Sequence, residues 1–207
     1  MNAPRFASLA AAVLLLVPAS LAAQSPHIGH VATGFANTPD GAGLLPTAEA
    51  EAQVAAQHAG LAARDLSNLA AMQAHIGHVQ HAVDPSAVEA GPGLGYGVVA
   101  AAEGVARHIE LAASGDGAAG AVVTHSPHVA QAARNTVARA QRILELATQV
   151  QAAGSADAAA PMVQEIQQLA AQLVDGDDVN EDGRVGWQEG EGGLATARQH
   201  LGFLMGG

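Results

Sequence analysis

The stretch PTAEAEAQVAAQHAGLAARDLSNLAAMQAHIGHVQHAV, residues 46–83, decides the fold class. Its larger apolar side chains stand at Val54, Leu61, Leu69, Met72, Ile76, Val79 and Val83, at spacings of 7, 8, 3, 4, 3 and 4. That recurrence belongs to one face of a helix and not to the alternation of a strand. Pro46-Thr47 opens the run and Asp84-Pro85 closes it, since the residue before a proline leaves the α region. The spacing therefore predicts one long helix. Working outward, Val98, Ala102, Val105, Ile109 and Ala112 predict a second helix over 98–113. Ser126 reads as an N-cap with Pro127 at the first helical position, opening a third helix to about Ala153. Pro161 opens a fourth, with Met162, Ile166, Leu169 and Leu173 inward, and Leu194, Ala197, Leu201 and Leu204 mark a short last one. Alanine, the best helix former and a poor strand residue, supplies about a quarter of the chain. The expected architecture is all-α: a helical bundle of four main helices plus a short C-terminal helix over residues 46–207, behind an irregular arm at 24–45. The glycines at 91, 93, 95 and 97 read as a flexible connection.

Residues 1–23 read as an address. Arg5 gives a positive start, Leu9–Val17 is apolar, and small residues lead to Ala23, the pattern of a secretory signal peptide. The run is shorter than the roughly 20 apolar residues a membrane span needs. The expected product is exported, periplasmic or extracellular, with no membrane insertion after signal cleavage.

The composition narrows the chemistry. The 207 residues contain no Cys, and all 8 basic residues are Arg, so disulfides, thiolate metal sites and lysine-based catalysis are excluded. The net charge of −11 argues against nucleic acid as a partner. No serine sits in a nucleophile elbow, and the chain reads as a binding protein rather than an enzyme, its partners being metal ions. The 10 His exceed all the basic residues together.

Seven of the 19 acidic residues lie between Asp175 and Glu191. Residues 178–189 read Asp-Val-Asn-Glu-Asp-Gly-Arg-Val-Gly-Trp-Gln-Glu, which resembles the twelve-residue calcium loop of the EF-hand family. The resemblance implies that Asp178, Asn180 and Asp182 offer side-chain oxygens, Arg184 its backbone carbonyl and Glu189 a bidentate carboxylate. Gly183 would permit the sharp turn, and a water would serve at Gly186. It covers the segment 161–204 at most, as a single solitary motif, and implies a structural calcium ion as the cofactor.

The histidines suggest an alternative, a transition-metal (Zn, Cu, Ni or Fe) binding or carrier protein of the cell envelope. His-x-x-His recurs at 27/30, 75/78, 78/81 and 125/128. Residues three apart are neighbours on a helix and can share an ion. On the long helix, His75 borders the apolar face and His78 flanks it. His108 borders the apolar face of the next helix, so His75, His78 and His108 form the candidate site. His58 stands 17 residues before His75, about 25 Å along one continuous helix, which would keep them apart. His27-Ile28-Gly29-His30 and His75-Ile76-Gly77-His78 also resemble the ATP-binding signature of class I aminoacyl-tRNA synthetases. That signature needs a preceding strand and a lysine motif, and this sequence supplies neither.

Overall fold

The computed structural model describes residues 25–118 and 120–206, and within them the chain is helical, with no strand. Seven α-helices follow in order: α1 (Pro26–Ala32), α2 (Leu44–Ala62), α3 (Leu69–Val83), α4 (Val98–Ser114), α5 (Ala121–Ala152), α6 (Ala156–Asp175) and α7 (Leu194–Met205). The expected signal peptide lies outside the described residues. No described helix is long and apolar enough to cross a membrane.

The single long helix expected over 46–83 is two helices folded back on each other. Asp65 accepts hydrogen bonds from the backbone and hydroxyl of Ser67, and the Asn68 side chain accepts from the Ala71 N–H at 3.0 Å. These are local turn and N-cap bonds that offer the backbone an alternative to helix. Residues 63–68 therefore reverse the chain. The buried stripe of α2 is Leu45, Ala48, Ala52, Ala55, Ala59 and Ala62, all at most 1% exposed. Val54 and Leu61, the larger residues, sit at its margin. Small side chains on that stripe let α2 lie close against α3, α4 and α6.

Three other boundaries differ from expectation. The arm at 24–45 contains α1, which seats Ile28 and Val31 in the core, and a short 3-10 turn at Pro39–Gly41. Helix α5 begins at Ala121 behind Gly120, so Ser126 is no cap but a buried residue inside the helix, followed by Pro127. The proline forgoes one early hydrogen bond where Val123 is half exposed, a site where water can serve the freed carbonyl. Helix α6 starts at Ala156, with Ser155 accepting from the Ala158 N–H, and carries Pro161 within its second turn.

The glycine-rich connection at 84–97 is anchored. Glu51 of α2 is fully buried, and its carboxylate accepts the N–H groups of Leu94 (3.1 Å), Tyr96 (2.9 Å) and Gly97 (3.0 Å). Gly97 must be glycine: its φ is +87°, and a Cβ there would strike the Pro85 ring. These bonds fix where α4 begins.

The loop between α6 and α7 is anchored as well. Arg139 of α5, 8% exposed, donates to the carbonyls of Gly190, Glu191 and Gly192. Asn135, one turn earlier, donates to the Gln188 carbonyl at 2.7 Å and accepts from the Gly190 N–H.

Candidate metal centres

The helix pairs created by these turns gather nine of the ten histidines into three triads. His27 and His30 of α1 meet His108 of α4. His75 and His78 of α3 meet His58 of α2. His125 and His128 of α5 meet His200 of α7. All three have one construction. A His-x-x-His pair on one helix shares a face because i and i+3 are neighbours there. A packed helix then contributes a single histidine opposite. All nine rings are half-buried.

In each triad the single histidine presents its Nδ1 to the Nδ1 atoms of both partners. The separations are 3.0 and 3.2 Å around His108, 3.2 and 3.1 Å around His58, and 3.1 and 3.4 Å around His200. A hydrogen-bond network does not satisfy this arrangement. A neutral imidazole nitrogen either donates one proton or accepts at one in-plane lone pair, so one nitrogen cannot serve two convergent partners well. A single ion would serve all three. With a metal–nitrogen bond of about 2.0–2.1 Å, tetrahedral ligands stand roughly 3.3 Å apart, close to the two separations found at each single histidine. Three nitrogens on a tetrahedral ion leave a fourth position open.

The electrostatics favour the deprotonated form that a metal needs. His58, His108 and His200 are each held below the ordinary histidine pKa, first by burial and then by the two histidines facing them. Arg107 adds to the effect at His108. His200 is the extreme, pushed down to about 4. His128 is lowered by burial and by His125.

The expected set of His75, His78 and His108 is therefore divided between two triads. His75 and His78 do sit together, with His58, the residue that the single-helix reading set apart from them. The turn at 63–68 brings His58 across to His75. His108 goes to α1 because α4 packs on α1, α2 and α5 and hardly touches α3. His81 joins no triad; its Nδ1 lies 3.1 Å from the Pro92 carbonyl. The contributions of His27, His30, His125, His128 and His200 to shared sites, like that of His58, escaped the sequence reading. The repeated His-x-x-His spacing was the available signal for the pairs at 27/30 and 125/128.

The second triad is remote from the third. Gln73, beside His75, donates to the Val150 and Gln151 carbonyls at the end of α5 and accepts from the Gln151 amide, whereas His125 and His128 lie near its start. The intervening helix spans about 33 Å at 1.5 Å per residue. The surroundings also differ. Phe35 packs edge-on to His30 and His108. At the third triad Trp187 stacks on His128, with centroids 4.1 Å apart and planes 17° apart, and Phe203 lies 5.3 Å from His125.

In the loop of 176–193, Asp178 accepts the N–H groups of Asp182 (3.1 Å) and Gly183 (2.8 Å), and Asp182 accepts that of Arg184. Asn180 accepts from the Asp182 N–H. Glu189 is exposed. Glu191, 2% exposed, turns inward instead, its carboxylate accepting from the Asn180 amide at 2.6 Å and the Gly186 N–H at 2.8 Å.

No family model matches the chain, and no curated protein or solved structure matches it either.

Proposed function

We propose that the protein binds three transition-metal ions, one in each histidine triad, and serves as a carrier or buffer for them. The observation that carries this reading is the threefold recurrence of one donor arrangement, with the single histidine's Nδ1 3.0–3.4 Å from the Nδ1 atoms of both partners. Donor sets made only of imidazole suit Zn(II), Cu(II), Ni(II) and Fe, and their order of affinity follows the general divalent series. The triads are separate single-ion sites, which suits holding and handing on ions better than the multi-electron work of a metal cluster. With the signal peptide expected at residues 1–23, the place of action is outside the cytoplasm.

The test is elemental analysis of untagged protein dialysed against zinc or copper. About three equivalents should remain. His58→Ala, His108→Ala and His200→Ala should each remove one equivalent with the helical circular dichroism unchanged. Retention of three equivalents by a variant lacking all three would overturn the proposal.

A second reading concerns calcium in the loop 178–191. It is supported by the side-chain oxygens of Asp178, Asn180 and Asp182, which gather on backbone N–H groups of the loop, and by the buried carboxylate of Glu191. In this reading the Arg184 carbonyl completes the near side, and Glu191 rather than Glu189 closes the site. Exported single modules of this kind work at dissociation constants of about 10⁻⁴–10⁻³ M. Calorimetry with millimolar calcium tests it; the absence of saturable heat would dismiss it.

A further inference from the structure

The third triad differs from the other two in that a fourth side chain, from outside its helix pair, lies flat on one of its donors. Trp187 stacks on the His128 ring at 4.1 Å and 17°. It is carried there by the loop of 176–193, and that loop is fastened to the same helix that bears His128. Asn135 holds Gln188 and Gly190 two turns beyond His128, and Arg139 holds the carbonyls of Gly190, Glu191 and Gly192 one turn further on. The indole is therefore placed relative to α5 by at least five hydrogen bonds that involve neither His125 nor His200.

From this geometry we infer that Trp187 is a positioning residue of the third metal site, setting its affinity and reporting its occupancy. The inference rests on the reading of the triads as metal sites. Two physical effects act together. The stacked indole restricts rotation of the His128 ring, so its Nδ1 stays turned toward His200 at 3.4 Å and less rotamer freedom is lost when the ion binds. Coordination also withdraws charge from the imidazole, and an electron-poor ring stacks more favourably on the electron-rich indole face. Both effects strengthen the ion-bound state relative to the empty one. By linkage, an ion in the third triad holds the loop more firmly against α5. Among the described residues the first triad has only the edge of Phe35, and the second has no aromatic ring of Phe, Tyr or Trp against it, so the effect belongs to one site of three.

The experiment uses the full-length protein and Cu(II) and Zn(II) as probes. Trp187 is the chain's only tryptophan and it lies on His128, so with Cu(II) and Zn(II) as the only added metals its fluorescence follows the third triad, and the His200→Ala control isolates that response. Cu(II) should quench it strongly in the parent and in His58→Ala, and much less in His200→Ala. Trp187→Ala should weaken Zn(II) at one site by about three- to tenfold, the range expected for losing one aromatic pair, with the other two sites unmoved. Trp187→Phe, which keeps a stacked ring, should restore most of that loss, a rescue a purely structural role would not show. Arg139→Gln, which releases the loop, should weaken the same site in the same direction. Unchanged third-site affinity in Trp187→Ala, while His200→Ala still removes one equivalent, would overturn the inference and leave the three-site reading intact. If His200→Ala removes no equivalent, the three-site reading itself fails at this triad.

Discussion

His200→Ala is the sharpest single test of the triads, because it separates the metal's contribution to stability from that of packing. His200 supplies the one donor that α7 gives to the third triad and is half-buried. Its replacement leaves His125 and His128, a pair too few to hold an ion tightly. An ion that binds only the folded state stabilises it by about 2.7 kcal/mol when its free concentration is a hundredfold above Kd. A chain of this size shifts its Tm by roughly 2–4 °C per kcal/mol. The zinc-dependent rise in Tm should therefore shrink by about 5–11 °C in the variant, one site's share of three. With chelator present, parent and variant should melt within a few degrees of each other, since Leu201 and Leu204 still pack in the core. Thermal melts followed by circular dichroism, with and without zinc, make the measurement. An equal zinc-dependent rise in both proteins would refute the reasoning, whatever the melts in chelator show.

Three further outcomes are expected. Stability of the metal-free protein should fall with acid. His58, His108, His128 and His200 are held below the unfolded value near 6.5, so between that value and their lowered folded ones the unfolded chain takes up protons first. The loss should begin near pH 6.5 and run to about 4, the value of His200; urea unfolding that is flat across that range would contradict it. Glu51→Gln should destabilise by about 1–3 kcal/mol, because an amide NH2 must replace one acceptor among three convergent N–H groups; a parent-like urea midpoint would show that the carboxylate does not hold the loop. In a calcium titration, Glu191→Gln should weaken binding far more than Glu189→Gln, and the reverse order would place the closing carboxylate where the EF-hand spacing has it.

The helical class was legible in composition and periodicity, and the helices near 98–113 and 194–204 stand close to where their apolar residues put them. The break at 63–68 was not, because Val54 and Leu61 continue a plausible stripe across it while the stripe that packs is made of alanines. In a chain this rich in alanine the core-facing alanines look like all the others. The capping role of Asn68 was the missed signal. That one error also misplaced a candidate metal ligand: on a continuous helix His58 and His75 stand far apart, and across a turn they are in contact. The His-x-x-His pairs were readable because three residues of helix place them together by geometry alone. Their single partners depend on which helices pack, a tertiary fact without a local trace. The same holds for Glu191 and Trp187, whose roles follow from how Arg139 and Asn135 set the loop on α5.

A chain without cysteine has no disulfide cross-link, and metal ions held in the triads would give it a reversible kind. The paired histidines are 78–81 residues apart in the first triad, 17–20 in the second and 72–75 in the third. Joining distant points of a chain removes more freedom from its unfolded state than joining near ones, by about 0.6 kcal/mol for each doubling of the enclosed loop. An ion in the first or third triad is thus a long-range staple worth roughly 1 kcal/mol more than one in the second. The first also fastens α1, at seven residues too short to persist unaided, across the body of the fold. A protein that gives up its ions would lose these staples unevenly, so its load of metal would also set how readily proteases find its N-terminal segment.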